Sequence, residues 1–373
     1  MARHPFAFLV HPRADVRLDL ERTWAPLGWL PRGLVSRLTE LPLPSMSMGA
    51  VTYDDDPDTV AGYVWMLPIP ADQMLARPRA EVSRRVEGAL DALARRGVRT
   101  VTLGAFTSPA TRAGRMVSGR PDLGVTTGNA FTAAMTADAV ERLLRLSDAD
   151  EPQVALVGAT GSVGTCVARL LASRKALSRM TLIARTQGDL DRLQSEMTAY
   201  GVQTTTARTI DGAKSADIVV LLTSSPDALL HAEHLKEGAV VLDDTQPRNT
   251  SPTLLDERPD VTVVDGGVVA VTGLTDRAEI GQAPGTVYAC MAESMLLALD
   301  GHQGDFALGR PTVEQAEHTL ALAAEYRQYG FHLAPPHSFG EPLALDWDGL
   351  PARRRVAAVA AETDRRQRQA QTA

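Results

Sequence analysis

The sequence predicts an α/β fold: a doubly wound parallel sheet in the middle of the chain, preceded by a separate α/β domain and followed by a helical C-terminal region. Three observations predict it. Between Val154 and Val264, short apolar runs alternate with helical patterns, the rhythm of parallel strands joined by crossover helices. The first of those runs feeds straight into a glycine-rich turn, Gly158-Ala159-Thr160-Gly161-Ser162-Val163-Gly164. Just upstream, the polar run from Ser147 to Pro152 has the composition of a linker, and Pro152 cannot continue a helix.

In order along the chain, Phe6–Val10, Val64–Leu67 and Thr100–Leu103 read as strands, and 79–96 and 134–146 as helices. In the first helix Val82, Val86, Ala89, Leu90 and Leu93 recur at helical spacing opposite a charged face, and Gly97 follows as a stop. Strands follow at 154–157, 180–183, 217–222, 239–242 and 261–264, with helices at 163–171 and 189–200. Beyond Gly285 the segments 287–299 and 313–329 read as helices, and the Arg-, Gln- and Ala-rich tail from Arg353 to Ala373 reads as a solvated helix or disorder. These readings divide the chain into an N-terminal α/β substrate domain (1–150), a dinucleotide domain (151–285) and a helical C-terminal region (286–373).

Composition narrows the function. At 373 residues and 44% hydrophobic content the chain can bury two or three cores. No stretch approaches the ~18–20 apolar residues of a membrane span, and the first ten residues lack a signal-peptide core, so the cytoplasm is the expected compartment. Cys166 and Cys290, in different segments, read as free thiols. A net charge of -7 without a basic stripe argues against nucleic acid as partner. Nothing in the sequence specifies an oligomeric state.

The strand–turn–helix context of Gly158-x-x-Gly161-x-x-Gly164 points to a Rossmann-type dinucleotide site. Gly158 permits the tight turn, Gly161 lets the N–H groups around Thr160, Ser162 and Val163 approach a pyrophosphate, and Gly164 lets the helix pack on the strand. At the end of the second strand, where an acid would hold a free ribose 2′-hydroxyl, stands Arg185, which suits the 2′-phosphate of NADPH; a solvated surface arginine is the alternative. Thr223 and Ser224 follow the next strand and are expected near the nicotinamide.

None of the six tyrosines has a lysine four residues on, which excludes the Tyr-x-x-x-Lys chemistry of short-chain dehydrogenases. No metal-ligand spacing appears; His231 and His234 lack companions, and no metal site is expected. Cys290 near the start of an apolar helix is the candidate nucleophile, since a helix N-terminus lowers a thiol pKa; taken alone, a buried structural cysteine is the more common case.

Five segments, Leu103-Gly104-Ala105-Phe106-Thr107-Ser108, Thr126-Thr127-Gly128-Asn129, Gly158-Ala159-Thr160-Gly161, Leu182-Ile183-Ala184-Arg185 and the run from Tyr288 to Leu297, resemble in that order the long-chain acyl-[acyl-carrier-protein] reductases best known from cyanobacteria. The resemblance covers roughly residues 49 to 335. It implies that Cys290 accepts the acyl group, that NADPH donates hydride, and that an acyl carrier protein or acyl-coenzyme A thioester is reduced to a fatty aldehyde. Each tetrahedral intermediate then needs oxyanion donors: backbone N–H groups at the start of the Cys290 helix, or the hydroxyls of Ser108, Thr126 and Thr127, which equally suit turn capping. Asp243-Asp244-Thr245 departs from the family's Asp-Gly-Gly, which leaves the substrate open. Alternatives are an off-loading reductase for a specialised acyl or peptidyl thioester, and a non-catalytic NADPH-sensing module. For an acidic carrier, Arg112, Arg115 and Arg120, in a segment without acids, form the expected docking edge.

Overall fold

The structure, a computed structural model, describes residues 4–12, 43–147, 149–225, 228–276 and 281–347. The tail from Arg353 lies outside the described residues.

Up to residue 146 the elements are β1 (Phe6–Val10), β2 (Met46–Tyr53), β3 (Asp56–Met66), α1 (Ala71–Ala76), α2 (Arg79–Ala94), β4 (Thr100–Leu103), α3 (Thr107–Ala110), β5 (Gly124–Thr126) and α4 (Asn129–Leu146). Next come β6 (Val154–Val157), α5 (Ser162–Ser173), β7 (Arg179–Ile183), α6 (Gln187–Ala199), β8 (Gln203–Ala207), β9 (Ile218–Leu221), β10 (Val240–Asp243), α7 (Thr253–Glu257) and β11 (Thr262–Asp265). The last group is β12 (Val268–Val271), β13 (Leu274–Asp276), β14 (Thr286–Tyr288), α8 (Ala289–Asp300), α9 (Val313–Glu325), β15 (Gly330–Leu333), β16 (His337–Ser338) and β17 (Glu341–Pro342).

The chain forms two compact units, Met1–Ala134 with Val268–His332, and Met135–Gly267 with Leu333–Ala373. This division departs from boundaries at 150 and 285, and the segment after 285 is not a region of its own. In the first unit α8 packs on β4 and β1, and β14 and β15 flank β12, so the late elements complete that unit's core. The helix expected from Val287 begins at Ala289, because Val287 pairs with Val269 as the middle of β14.

The first unit is built on a mixed sheet, β13-β2-β3-β1-β4-β5, in which β1, β3, β4 and β5 run parallel and β2 returns antiparallel to β3. Its core joins Leu9, Trp65 and Leu103 to Val82, Val86, Leu90 and Leu93, the apolar stripe of α2. The second unit holds the parallel sheet, ordered β11-β10-β9-β6-β7-β8. Strand order reverses between β6 and β9, and ligands of such sheets bind at the carboxyl ends of the strands beside that reversal. The edge strand β8, Gln203-Thr204-Thr205-Thr206-Ala207, carries no large apolar side chain and so leaves no hydrophobic pattern in the sequence.

Candidate active site

In the second unit the carboxyl ends of β6, β7 and β9 bring the expected cofactor residues to one edge. The turn after β6 folds back on the sheet, with the N–H groups of Gly158 and Ala159 both donating to the Ile183 carbonyl at 2.9 and 3.1 Å. Gly158 has φ +88°, and a Cβ there would lie 2.7 Å from the Leu222 carbonyl oxygen. A Cβ on Gly164 would lie 2.4 Å from the Gly158 carbonyl oxygen, so α5 can approach the strand only with glycine at that position. The exposed Gly161 is the N-cap of α5 and has no side chain to cap it; Ser162 and Val163, the first two residues of the helix, are half-buried. These residues fit a dinucleotide pyrophosphate, which takes its hydrogen bonds from such a helix start.

Arg185 is exposed at the end of β7. Arg208, just beyond β8, donates from Nε to the Arg185 carbonyl at 3.3 Å, a second guanidinium at that strand end. The sequence patterns left Arg208 unmarked because strand pairing alone makes it a neighbour. Thr223 donates to Asn249 Oδ1 and accepts from the Ser225 N–H at 3.1 Å, so the turn after β9 is braced by a residue 26 positions away; Ser224 is exposed on that turn.

Beside this edge, Asp244 is half-buried against the backbone of Gly266 and Gly267. Burial pushes its carboxyl up to about 7, a hydrogen bond from Thr136 opposes that shift, and Asp243 adds to it. The native state therefore binds the proton more tightly than the unfolded chain. The resulting stabilisation is complete below the ordinary Asp pKa and disappears as pH rises through about 7. Asp244→Asn should flatten the fall in melting temperature between pH 5 and pH 8 by roughly 3 °C or more. Identical pH slopes in thermal melts of the two proteins would show that this carboxyl does not titrate in that range.

In the first unit, Tyr288 caps α8, and Cys290 is its second residue, half-buried. Cys166, by contrast, is 0% exposed within α5. Gly128, at φ +75°, lies directly against the cysteine: a Cβ on it would sit 2.3 Å from Cys290 Cβ. Thr102 donates to the Cys290 carbonyl at 3.2 Å. The turn 126–129 is thus the floor under the thiol.

Thr126 and Thr127 are buried beside it, and their hydroxyls donate to the Glu293 carboxyl and, at 2.8 Å, to the Ala307 carbonyl. Each hydroxyl has one hydrogen, and here both are committed within the protein. Ser108 lies in the short α3, where its carbonyl accepts from the N–H of Ala113 at 2.8 Å. Glu293, one turn after Cys290, is 0% exposed, and burial pushes its carboxyl up to about 7 against the hydrogen bonds it receives. Its signal in the sequence was a lone acid in an apolar helix.

The expected docking edge is only partly basic. Arg120 is paired with Asp122, two residues further along the chain, and with Asp91, brought to it on α2, whereas Arg112 and Arg115 are exposed. Among the described residues, no group of three or more His, Cys, Asp or Glu could hold a metal ion, and no helix is long and apolar enough to cross a membrane.

Residues 140–265 match the family model described as shikimate / quinate 5-dehydrogenase. Over 291 residues the chain is 29% identical to the long-chain acyl-[acyl-carrier-protein] reductase of Synechococcus elongatus, covering 74% of this chain and 80% of that protein. Over 295 residues it is 28% identical to the aminotransferase PigE of Serratia sp., covering 76% of this chain but only 34% of the relative, so the chain spans about a third of that protein's length. Among solved structures, an archaeal alanine dehydrogenase with bound NAD shares 12% identity at a TM-score of 0.30, covering 56% of this chain and 68% of that one.

Proposed function

We propose that this protein is an NADPH-dependent reductase that converts a long-chain acyl thioester, carried by an acyl carrier protein or coenzyme A, into a fatty aldehyde through an acyl-Cys290 intermediate. The observation that carries this reading is the setting of Cys290: half-buried, at the second position of an apolar helix, over a glycine turn with no room for a side chain. The similarity to the Synechococcus elongatus reductase across most of both chains supports it.

The start of α8 favours the thiolate of Cys290. Its attack on the thioester carbonyl expels the carrier thiolate and leaves an acyl-cysteine, one thioester exchanged for another. NADPH, when bound at the glycine turn, supplies the hydride that reduces this acyl group. The resulting hemithioacetal oxyanion collapses to the aldehyde and expels Cys290 as the thiolate with which it began, while the released carrier thiolate takes a proton from solvent. Since Thr126 and Thr127 have committed their hydrogens, the oxyanion falls to backbone N–H groups at the start of α8, with Ser108 the remaining hydroxyl candidate.

The direct test is to incubate the purified protein with NADPH and a panel of acyl thioesters and to identify products by mass spectrometry. Aldehyde is expected from long chains; a panel that yields none at any chain length refutes the reading. Arg185 and its neighbour Arg208 support a 2′-phosphate at the end of β7. Arg185→Asp should therefore lower the kcat/KM ratio of NADPH over NADH by about 10-fold or more, because it replaces a phosphate partner with a repelling charge. An unchanged ratio would place the 2′-phosphate elsewhere.

A further inference from the structure

We propose that Glu293 is a positioning residue for Cys290: from inside α8 its carboxyl ties down the start of α4, and so fixes the Gly128 turn on which the thiol rests. The inference builds on the reading of Cys290 as the nucleophile.

A carboxyl with 0% exposure in an apolar helix is costly unless its oxygens are satisfied. Those of Glu293 are. Thr126 donates its hydroxyl to Oε1, and the Phe131 N–H donates to Oε2 at 2.7 Å. The N–H groups of Ala130 and Gly128 are directed at the same carboxyl. Three of these donors are backbone groups at or just before the first turn of α4, which begins at Asn129 and whose early N–H groups have no partner within their own helix. Glu293 thus does for α4 what a capping side chain ordinarily does locally, but from another helix. The positive end of α4 in turn offsets a negative charge on the carboxyl.

The segment held in this way is the one that carries Gly128, whose absent side chain is what admits Cys290. Glu293 follows Cys290 by three residues, so both lie on one face of α8, and that face meets the turn. If the carboxyl lets go, the turn is free to shift beneath the cysteine. Packing alone gives no reason for an acid here, since an apolar side chain of similar volume would fill the same space without the cost of burying it.

The test uses the full chain and follows acylation of Cys290 by decanoyl-coenzyme A without NADPH, timed by quenched intact-protein mass spectrometry. Glu293→Gln, whose amide presents a donor to N–H groups, should lower the limiting acylation rate about 10- to 100-fold, the usual effect of a small misplacement. The half-saturating thioester concentration and the NADPH Kd should stay within about twofold, a split that general loss of structure does not produce. Thr126→Val should slow acylation in the same direction, and Thr126→Ser, which restores the hydroxyl, should recover most of the rate. Glu293→Gln and Thr126→Val both acylating at the wild-type rate overturns the proposal, as does Thr126→Ser remaining as slow as Thr126→Val. Should Glu293→Gln fail to fold, the Thr126 pair decides. Acylation of Cys290→Ala at the wild-type rate is a separate result, which refutes the nucleophile and not the tether.

Discussion

Cys290→Ala should abolish thioester reduction, by about 10³-fold or more, while the NADPH Kd stays within about twofold of wild type. The proposed nucleophile belongs to α8 of the first unit and the glycine turn to β6 and α5 of the second, and Cys290 has no proposed part in holding the dinucleotide. Without NADPH, wild type incubated with an acyl thioester should gain one acyl mass on the peptide containing Cys290, and the alanine variant none. Cys166→Ala is the control. That thiol is 0% exposed on the inner face of α5, so its loss should cost on the order of 1 kcal/mol of stability and leave acylation intact. The opposite pattern, activity lost with Cys166 and kept without Cys290, would overturn the assignment.

Gly128→Ala should be nearly as damaging, although it adds a single methyl group. At φ +75° an L side chain is strained by about 1 kcal/mol before any contact is counted. The new Cβ would also lie 2.3 Å from Cys290 Cβ and 2.5 Å from its Cα, where neither neighbour is a flexible chain end able to swing aside. Either the turn or the first turn of α8 must move. The expected result is an acylation rate lower by about 100-fold, the scale of an ångström of misplacement. Stability should fall by roughly 2 kcal/mol, in line with overpacking a filled core. Gly88→Ala gives the contrast: it lies within α2 with nothing near its missing Cβ, and alanine there should raise the melting temperature slightly. Quenched acylation assays and thermal melts of both variants decide it, and wild-type kinetics in Gly128→Ala would mean that the turn does not set the thiol.

Much of the second unit was legible before the fold was known, because its signals are local. A strand buried on both faces must be apolar along its length, and the turn that receives a pyrophosphate must lack side chains, so 154–164 announces both in consecutive residues. The stripe on α2 was equally visible in sequence. Less legible were β2 and β8. The first is an antiparallel return strand with register shifts against β3, and the second an exposed edge built from threonines; neither needs the apolar run that marks a central strand.

The sequence alone therefore determined the parallel sheet, its glycine turn, the arginine at the end of its second strand and the cysteine at a helix start, since each depends on neighbours within a few positions. Only the tertiary structure decided that Thr126 and Thr127 turn their hydroxyls inward, that Glu293 ties α4 to α8, that Asp91 pairs with Arg120, and that Arg208 comes to Arg185. Those pairs are separated by up to 180 residues, and a hydrogen bond or ion pair across such a distance leaves no periodicity for sequence reading to find. Which group a hydroxyl or carboxyl serves is settled by what burial places within about 3 Å of it.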